Sequence, residues 1–487
     1  MGYTWCSLAH SIIYKGLLIQ QGIQITFGLV WRRKFLEKYD AIVVGAGTAG
    51  CLAAKTMAES GLNVCIIEKK SREQIGEKIC GDALGEHHLK FLGLEKPTGG
   101  ELEAKIDGIK IYSPDENTVF TIADKDFVGY LLNRRLFGQW LLNKATDKGA
   151  FLEDNMNFRA PIIDKGAVVG LTAKNMKTEK TLELRSKVVV DATGYFAMVR
   201  KQLPAQMGIE RNIANEDVEA CYREIRQLKH ETANTRFCEI YLNQKASPGG
   251  YVWIFPKGGA RVNVGIGTCM RENYPNPKHQ LYKTAFKKPI FKGSSVLTGG
   301  SWFDPVRRPL DNMVSNGVVL VGDAASLVNP IHGGGIGPSM LSGYLSGKQI
   351  VETLGKGEPT KEALWGYNKK YIETYGKKQG TLDIFKMFLL SCTDEDLNYG
   401  MNEKLMTEDD VLKAGMGDDF HLNITETAKR VFRGIRRVSF LKKLRMTVVM
   451  MRGLSAHYNT YPTTPQNFEQ WRLRTIKLIE EAKQKLQ

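Results

Sequence analysis

An apolar strand running straight into a glycine-rich turn, a strand with aromatics on alternate positions and a basic helical segment near the C-terminus predict an α/β fold. The expected architecture is a discontinuous Rossmann-like domain, an antiparallel β-sheet domain inserted into it, and a helical C-terminal region. With 487 residues, 43% of them hydrophobic and 25% charged, the chain can bury a large core. This excludes a small binding module and general disorder. Lys and Arg number 68 against 52 acids, a net charge of +16, which favours an anionic partner: a phosphorylated metabolite, an acidic membrane surface or nucleic acid.

The first element is a βαβ unit. Tyr39 to Val44 is a β-branched apolar run, followed by Gly45-Ala46-Gly47-Thr48-Ala49-Gly50, a helical stretch and a second apolar strand ending at Glu68. Gly45 permits the tight turn, Gly47 lets the backbone approach a pyrophosphate, and Gly50 lets helix and strand pack closely. The helix start at Ala49 offers unpaired N–H groups to phosphate. Glu68, 18 residues beyond Gly50, is placed to accept hydrogen bonds from ribose hydroxyls. The motif alone does not separate FAD from NAD.

Two later strands end in small-residue turns: KVVVDATG, which carries Asp191, and GVVLVGDAAS, which carries Gly322 and Asp323. At these residues the chain resembles the flavoprotein family that includes aromatic hydroxylases, flavin halogenases and isoprenoid reductases. The resemblance implies FAD, with Asp191 at the cofactor and Gly322 and Asp323 at its ribitol and pyrophosphate. In NPIHGGGIGPSM it places Gly334, Gly335 and Ile336 against the flavin ring, where small residues and a helix start present backbone N–H groups. The helix opening NRRLF resembles the superfamily's Arg-x-x-Phe element, which implies that Arg134 meets FAD.

Pro248 to Pro256 sets Tyr251, Trp253 and Phe255 on one face of a strand, an apolar wall for substrate. It matches the P-x-x-Y-x-W-x-F-P pattern of geranylgeranyl reductases. Glu77 to Ala83 is similar to the K-x-C-G segment that such reductases place beside the flavin. That implies cofactor contacts for Cys80, Gly81 and Ala83, and makes Cys80 the candidate catalytic residue. The resemblance spans residues 39 to 380. It implies FAD-dependent reduction of C=C bonds in geranylgeranyl chains of archaeal-type membrane lipid precursors, on a polyprenyl lipid or polyprenyl diphosphate. With no second nucleotide fingerprint, an external electron donor is expected, a ferredoxin or NADPH. The alternative is an FAD-dependent monooxygenase or halogenase-like enzyme acting on an apolar substrate.

The resulting segmentation leaves residues 1–38 as an unassigned extension. It assigns 39–100, 125–210 and 310–380 to the FAD-binding domain, 100–125 and 210–310 to the substrate-binding sheet, and 381–487 to the helical region. The eight cysteines show neither C-x-x-C nor zinc spacing, so no metal site and no disulfide framework is expected, as suits a reducing cytoplasm. Residues 11–31 are fairly apolar but contain Lys15, Gln20, Gln21 and Gln24, which argues against a membrane span and for a surface-lying arm or a loosely ordered extension. Residues 429–452 carry nine basic residues and no acid, with Val431, Ile435 and Val438 on one helical face. Such a helix either lies on anionic lipid at the inner face of the cell membrane or docks on its own core. No recognition module accompanies the charge, so no nucleic-acid partner is expected.

Overall fold

The computed structural model describes residues 38–123, 127–271, 273–410 and 437–486. The apolar stretch 11–31 and the basic residues 429–436, with Val431 and Ile435, lie outside the described residues. Strand β1 (Tyr39–Val44) leads into helix α1 (Thr48–Glu59) and then β2 (Val64–Ile67), which lies parallel to β1 with Ala41 opposite Val64. From Ala41 in β1 and from Val64 in β2 the strands read as continuous apolar runs, because a parallel sheet is covered on both faces. Strands β3 (Ala83–Gly85), β4 (Leu102–Ile106), β5 (Gly108–Tyr112), β6 (Val119–Ile122) and β7 (Gly129–Leu132) follow, with helix α2 (Glu86–Phe91) after β3. The third, fourth and seventh form a small three-stranded sheet, whereas β5 and β6 join a larger one.

Helix α3 (Arg134–Thr146) starts at Asn133, whose side chain accepts the N–H of Leu136. Strands β8 (Phe151–Glu153), β9 (Met156–Asp164), β10 (Ala167–Asn175) and β11 (Thr181–Asp191) return the chain to the first sheet. The long β11 changes partners along its length: its first half pairs antiparallel with β10, and from Ser186 to Asp191 it pairs parallel with β1.

The second large sheet takes β12 (Val218–Gln227), β13 (Phe237–Tyr241), β14 (Val252–Pro256), β15 (Arg261–Cys269) and, after helix α4 (Pro277–Lys283), β16 (Ser295–Pro305). Its order is β16-β12-β15-β14-β13-β5-β6, antiparallel except where β13 meets β5. Alternation along β14 splits its side chains as the pleat requires: Val252 and Ile254 join one apolar cluster, Trp253 and Phe255 another. Strands β17 (Val314–Ser315) and β18 (Val318–Leu320) complete the first sheet beside β11.

Helix α5 (Ile336–Lys356) lies on α1 so closely that a Cβ at Gly343 would meet the Ala49 carbonyl oxygen at 2.2 Å. Then come α6 (Lys361–Leu364), α7 (Gly366–Tyr371), α8 (Lys377–Leu390), α9 (Asp394–Asn402), α10 (Val438–Tyr458) and α11 (Phe468–Leu486). Trp365 pins the last helices to the body: its indole donates to the Pro462 carbonyl at 2.8 Å and its ring meets Phe468 edge-on. The described part of the basic segment is docked on the core. Helix α10 buries Phe440, Leu444, Val448, Met451 and Leu454, while Lys442, Arg445, Val449 and Arg452 face outward. Among the described residues no helix is long and apolar enough to cross a membrane.

Candidate functional site

Two cavities adjoin and share part of their lining. The first, about 440 Å³, opens over the turn after β1 and is lined by Gly45, Gly47, Ala49, Glu68, Arg134, Gly322 and Asp323. Each glycine of the turn has its own physical reason. Gly45 has φ +107°, and a Cβ there would strike the Ala192 carbonyl oxygen at 2.5 Å. A Cβ on Gly50 would fall 2.0 Å from the Gly45 carbonyl oxygen, so Gly50 seals helix against strand and stays out of the cavity lining. Nothing lies within 4 Å of a Cβ on Gly47, which faces open space. Glu68 braces the turn: its carboxylate accepts the N–H of Ala46 at 2.9 Å and of Lys70 at 3.0 Å.

Arg134, at the first turn of α3, is 8% exposed, and its Nε and Nη1 have no hydrogen-bond partner among the described residues. A buried guanidinium without an acceptor is costly, so this position asks for an anion. A pyrophosphate lying on the Gly47 backbone and against Arg134 meets that demand, and the residues present therefore fit a dinucleotide. Asp323 pairs with Lys78 at 2.9 Å, and the N–H of Gly322 donates to the Ser342 hydroxyl at 3.0 Å. Asp191 is not brought to the cavity. Its carboxylate accepts the N–H and hydroxyl of Thr193, at 3.0 and 2.6 Å, and the N–H of Arg200 at 2.8 Å. It thereby shapes the turn through Ala192, Thr193 and Gly194, which does line the cavity.

The second cavity, about 450 Å³, is mostly apolar, and Tyr251, Trp253 and Phe255 all line it. The Tyr251 hydroxyl donates to the His332 carbonyl at 2.7 Å and the Trp253 indole to Asn263 at 2.9 Å, so both rings are held by their polar ends. Cys80, Gly81 and Ala83 line the same cavity, as do Gly334, Gly335 and Ile336 at the start of α5. Gly81 lets the loop pass the Phe255 ring, which a Cβ would meet at 3.1 Å. Burial, together with the charge of Asp82, holds the Cys80 thiol above its ordinary pKa, so it is a thiol at neutral pH and not a nucleophilic thiolate. The Cys80 carbonyl accepts from Asn263 at 2.8 Å and Arg223 at 3.2 Å. Asp82, in left-handed backbone at φ +67°, takes Lys257 at 2.9 Å, and Lys257 also pairs with Glu103. Thr48, Lys78, Arg134, Asp323 and Ser339 line both cavities and form their common border.

Sequence reasoning missed Glu219 and Asp304, which also line the apolar cavity. Burial, then the charge of Asp304, pushes Glu219 up to about 8; burial pushes Asp304 up to about 6, against the pull of Lys78. The only signal was an acid on the same strand face as Cys221 and Arg223 in VEACYREI. His87, His88, His332 and Lys378 were missed too and lie on the same wall. Burial, then neighbouring positive charge from His87 and Lys378, lowers His88 to about 3. Among the described residues no cluster suits a metal ion.

A glycine turn on a parallel sheet, an orphaned arginine and an adjoining apolar chamber define a dinucleotide-binding oxidoreductase. An FAD binding domain matches residues 40–81, and a geranylgeranyl reductase catalytic domain matches residues 217–299. The digeranylgeranylglycerophospholipid reductase of Sulfolobus acidocaldarius is 38% identical over 451 residues, 92% of this chain and 99% of its own. That of Methanothrix thermoacetophila is 32% identical, over 76% of this chain and 92% of its own. Among solved structures, a geranylgeranyl bacteriochlorophyll reductase-like protein from Thermoplasma acidophilum superposes with a TM-score of 0.71 at 24% identity, covering 84% of this chain and 99% of its own. A flavin-dependent brominase, at 20% identity and a TM-score of 0.62 over 83% of this chain and all of its own, shares the fold alone. The chain belongs to the geranylgeranyl reductase family of FAD-dependent oxidoreductases.

Proposed function

We propose that this protein saturates C=C bonds of geranylgeranyl chains on archaeal-type membrane phospholipid precursors. The observation that carries the reading is the apolar cavity itself. At about 450 Å³ it lies within the usual range for ligand clefts, and Ile106, Ile109, Phe120, Ile122, Phe388 and Phe440 line it beyond the border with the glycine-turn cavity. A prenyl chain matches such a lining, and Lys378 on its wall favours an anionic lipid head.

Bound FAD, once reduced, supplies the hydride for this chemistry. The protein's own residues do the rest. Arg134 neutralises the pyrophosphate, and Gly47 lets it approach the backbone. The apolar lining would keep water from an alkene carbon that carries positive charge in the transition state, and the rings of Tyr251 and Trp253 in that lining would supply π electrons near it. A ferredoxin or NADPH acts as external electron donor. The outward cations of α10, Lys442, Arg445 and Arg452, support peripheral contact with anionic membrane.

The test is mass spectrometry of an unsaturated archaeal-type phospholipid after incubation with dithionite-reduced protein. A gain of two hydrogens per double bond is expected. A hydroxylated or halogenated product, with no saturated lipid, would overturn the reading.

A further inference from the structure

We infer that the carboxyl group of Glu219 is the acid that protonates the alkene in the reaction proposed above, and the inference rests on that reading. Glu219 and Asp304 are direct cross-strand neighbours on β12 and β16. Both are in the wall of the apolar cavity. Two carboxylates in such a place repel each other and are poorly solvated, so the pair retains a proton.

The surroundings decide which member holds it. Asp304 faces the Lys78 ammonium and accepts the Cys221 thiol at 3.7 Å, both of which favour its ionised form. Glu219 is 7% exposed, and burial and the charge of Asp304, opposed only by Lys386, bear on its carboxyl group. The groups that face it are Asp304, Cys221, Cys269, Tyr251 and Lys386. Lys386 is the one cation among these, and it is already held by Asp383 at 3.0 Å and Asp217 at 3.5 Å.

Position points to the same role. One oxygen of Glu219 occupies the space over Gly250 and Gly267, where a Cβ would lie within 2.4 and 2.1 Å of it. The other lies 3.8 Å from a Cβ built on Gly333, in the glycine cluster that leads into α5. The carboxyl group is thus set between the aromatic strand and the loop expected to face the flavin. The raised pKa of about 8 agrees with a proton retained at neutral pH.

The step balances as follows. The π electrons of the alkene form a C–H bond with the Glu219 proton, and the broken O–H bond leaves its electron pair on the carboxylate. The neighbouring carbon takes the hydride from reduced FAD, so the alkene gains two electrons and the flavin loses two. Solvent then returns a proton to Glu219.

The experiment compares wild type, Glu219→Gln and Asp304→Asn, each FAD-loaded, in single-turnover saturation of the prenyl lipid across pH, with infrared spectra of the resting proteins. Glu219→Gln is expected to keep its flavin and to melt no lower than wild type, to lose the infrared band of a protonated carboxyl group and to slow saturation by on the order of 100-fold. The wild-type rate should fall as pH rises through about 8, and Asp304→Asn should move that limb to lower pH. Saturation by Glu219→Gln at the wild-type rate, or a limb unmoved in Asp304→Asn, would overturn the inference while leaving the reductase reading intact. A wild type that saturates nothing would sink both.

Discussion

Arg134 carries a cost in the flavin-free protein, because Nε and Nη1 of its guanidinium are buried without an acceptor among the described residues. Arg134→Met should therefore leave the flavin-free melting temperature unchanged or raised, while flavin affinity, followed by fluorescence titration, falls by at least about tenfold. The glycines of the turn separate in the same way. Gly50→Ala forces a methyl group onto the Gly45 carbonyl and should cost on the order of 1–3 kcal/mol of stability in denaturant titration. Gly47→Ala meets no protein atom and should weaken only flavin binding. Glu219 sets a pH dependence of stability. Its native pKa of about 8 lies above its ordinary 4.5, so the native state holds a proton that the unfolded chain releases. The associated stability is present below about 4.5 and is lost as pH rises through about 8. Calorimetry should show wild type losing melting temperature relative to Glu219→Gln across that window.

Among the elements, β14 depends on more than its aromatic rings. Trp253 donates to Asn263, and Asn263 in turn donates to the Cys80 carbonyl and to Asp82, so the aromatic strand fixes the Cys80 loop through one amide. Lys257, just past the strand, closes the same network by bridging Asp82, Glu103 and the Leu132 carbonyl. Replacing Lys257 by Met leaves the buried Asp82 without a cation, while Glu103 keeps only Arg261 at 3.4 Å. The expected loss is about 3–5 kcal/mol in chemical denaturation, accompanied by altered flavin absorbance as the Cys80 loop loosens.

For the whole molecule, function depends on two layers built from distant parts of the chain. The parallel sheet and α3 contribute to the glycine-turn cavity, the antiparallel sheet, the Cys80 loop, the glycine cluster before α5 and α8 all wall the apolar one, and Lys78, Arg134 and Asp323 stand between them. Surface charge acts at this scale too. If α10 meets anionic lipid, a triple Lys442→Ala, Arg445→Ala, Arg452→Ala variant should bind phosphatidylglycerol vesicles on the order of 100-fold more weakly at low salt, from about 1 kcal/mol per basic residue. Added salt should erase the difference. Equal binding of variant and wild type in vesicle sedimentation would remove α10 from any membrane contact.

Much of the fold is legible in the sequence, because it is written in dihedral constraints and short periods. A strand that meets Gly45-Ala46-Gly47 must turn there, and alternate positions in Tyr251, Trp253 and Phe255 must share a face. The family pattern rests on such local features. Asp191 shows their limit: its motif suggested the cofactor, yet its carboxylate is consumed by Thr193 and Arg200. The acid pair of Glu219 and Asp304 could not be read at all, since only the pairing of β12 with β16 sets them opposite each other. Backbone geometry and side-chain period are properties of a few adjacent residues, and so the sequence alone determined the fold class and the cofactor turn. Desolvation and charge pairing sum over atoms from many segments, and so only the tertiary structure decided which buried groups lack a partner and which one keeps its proton.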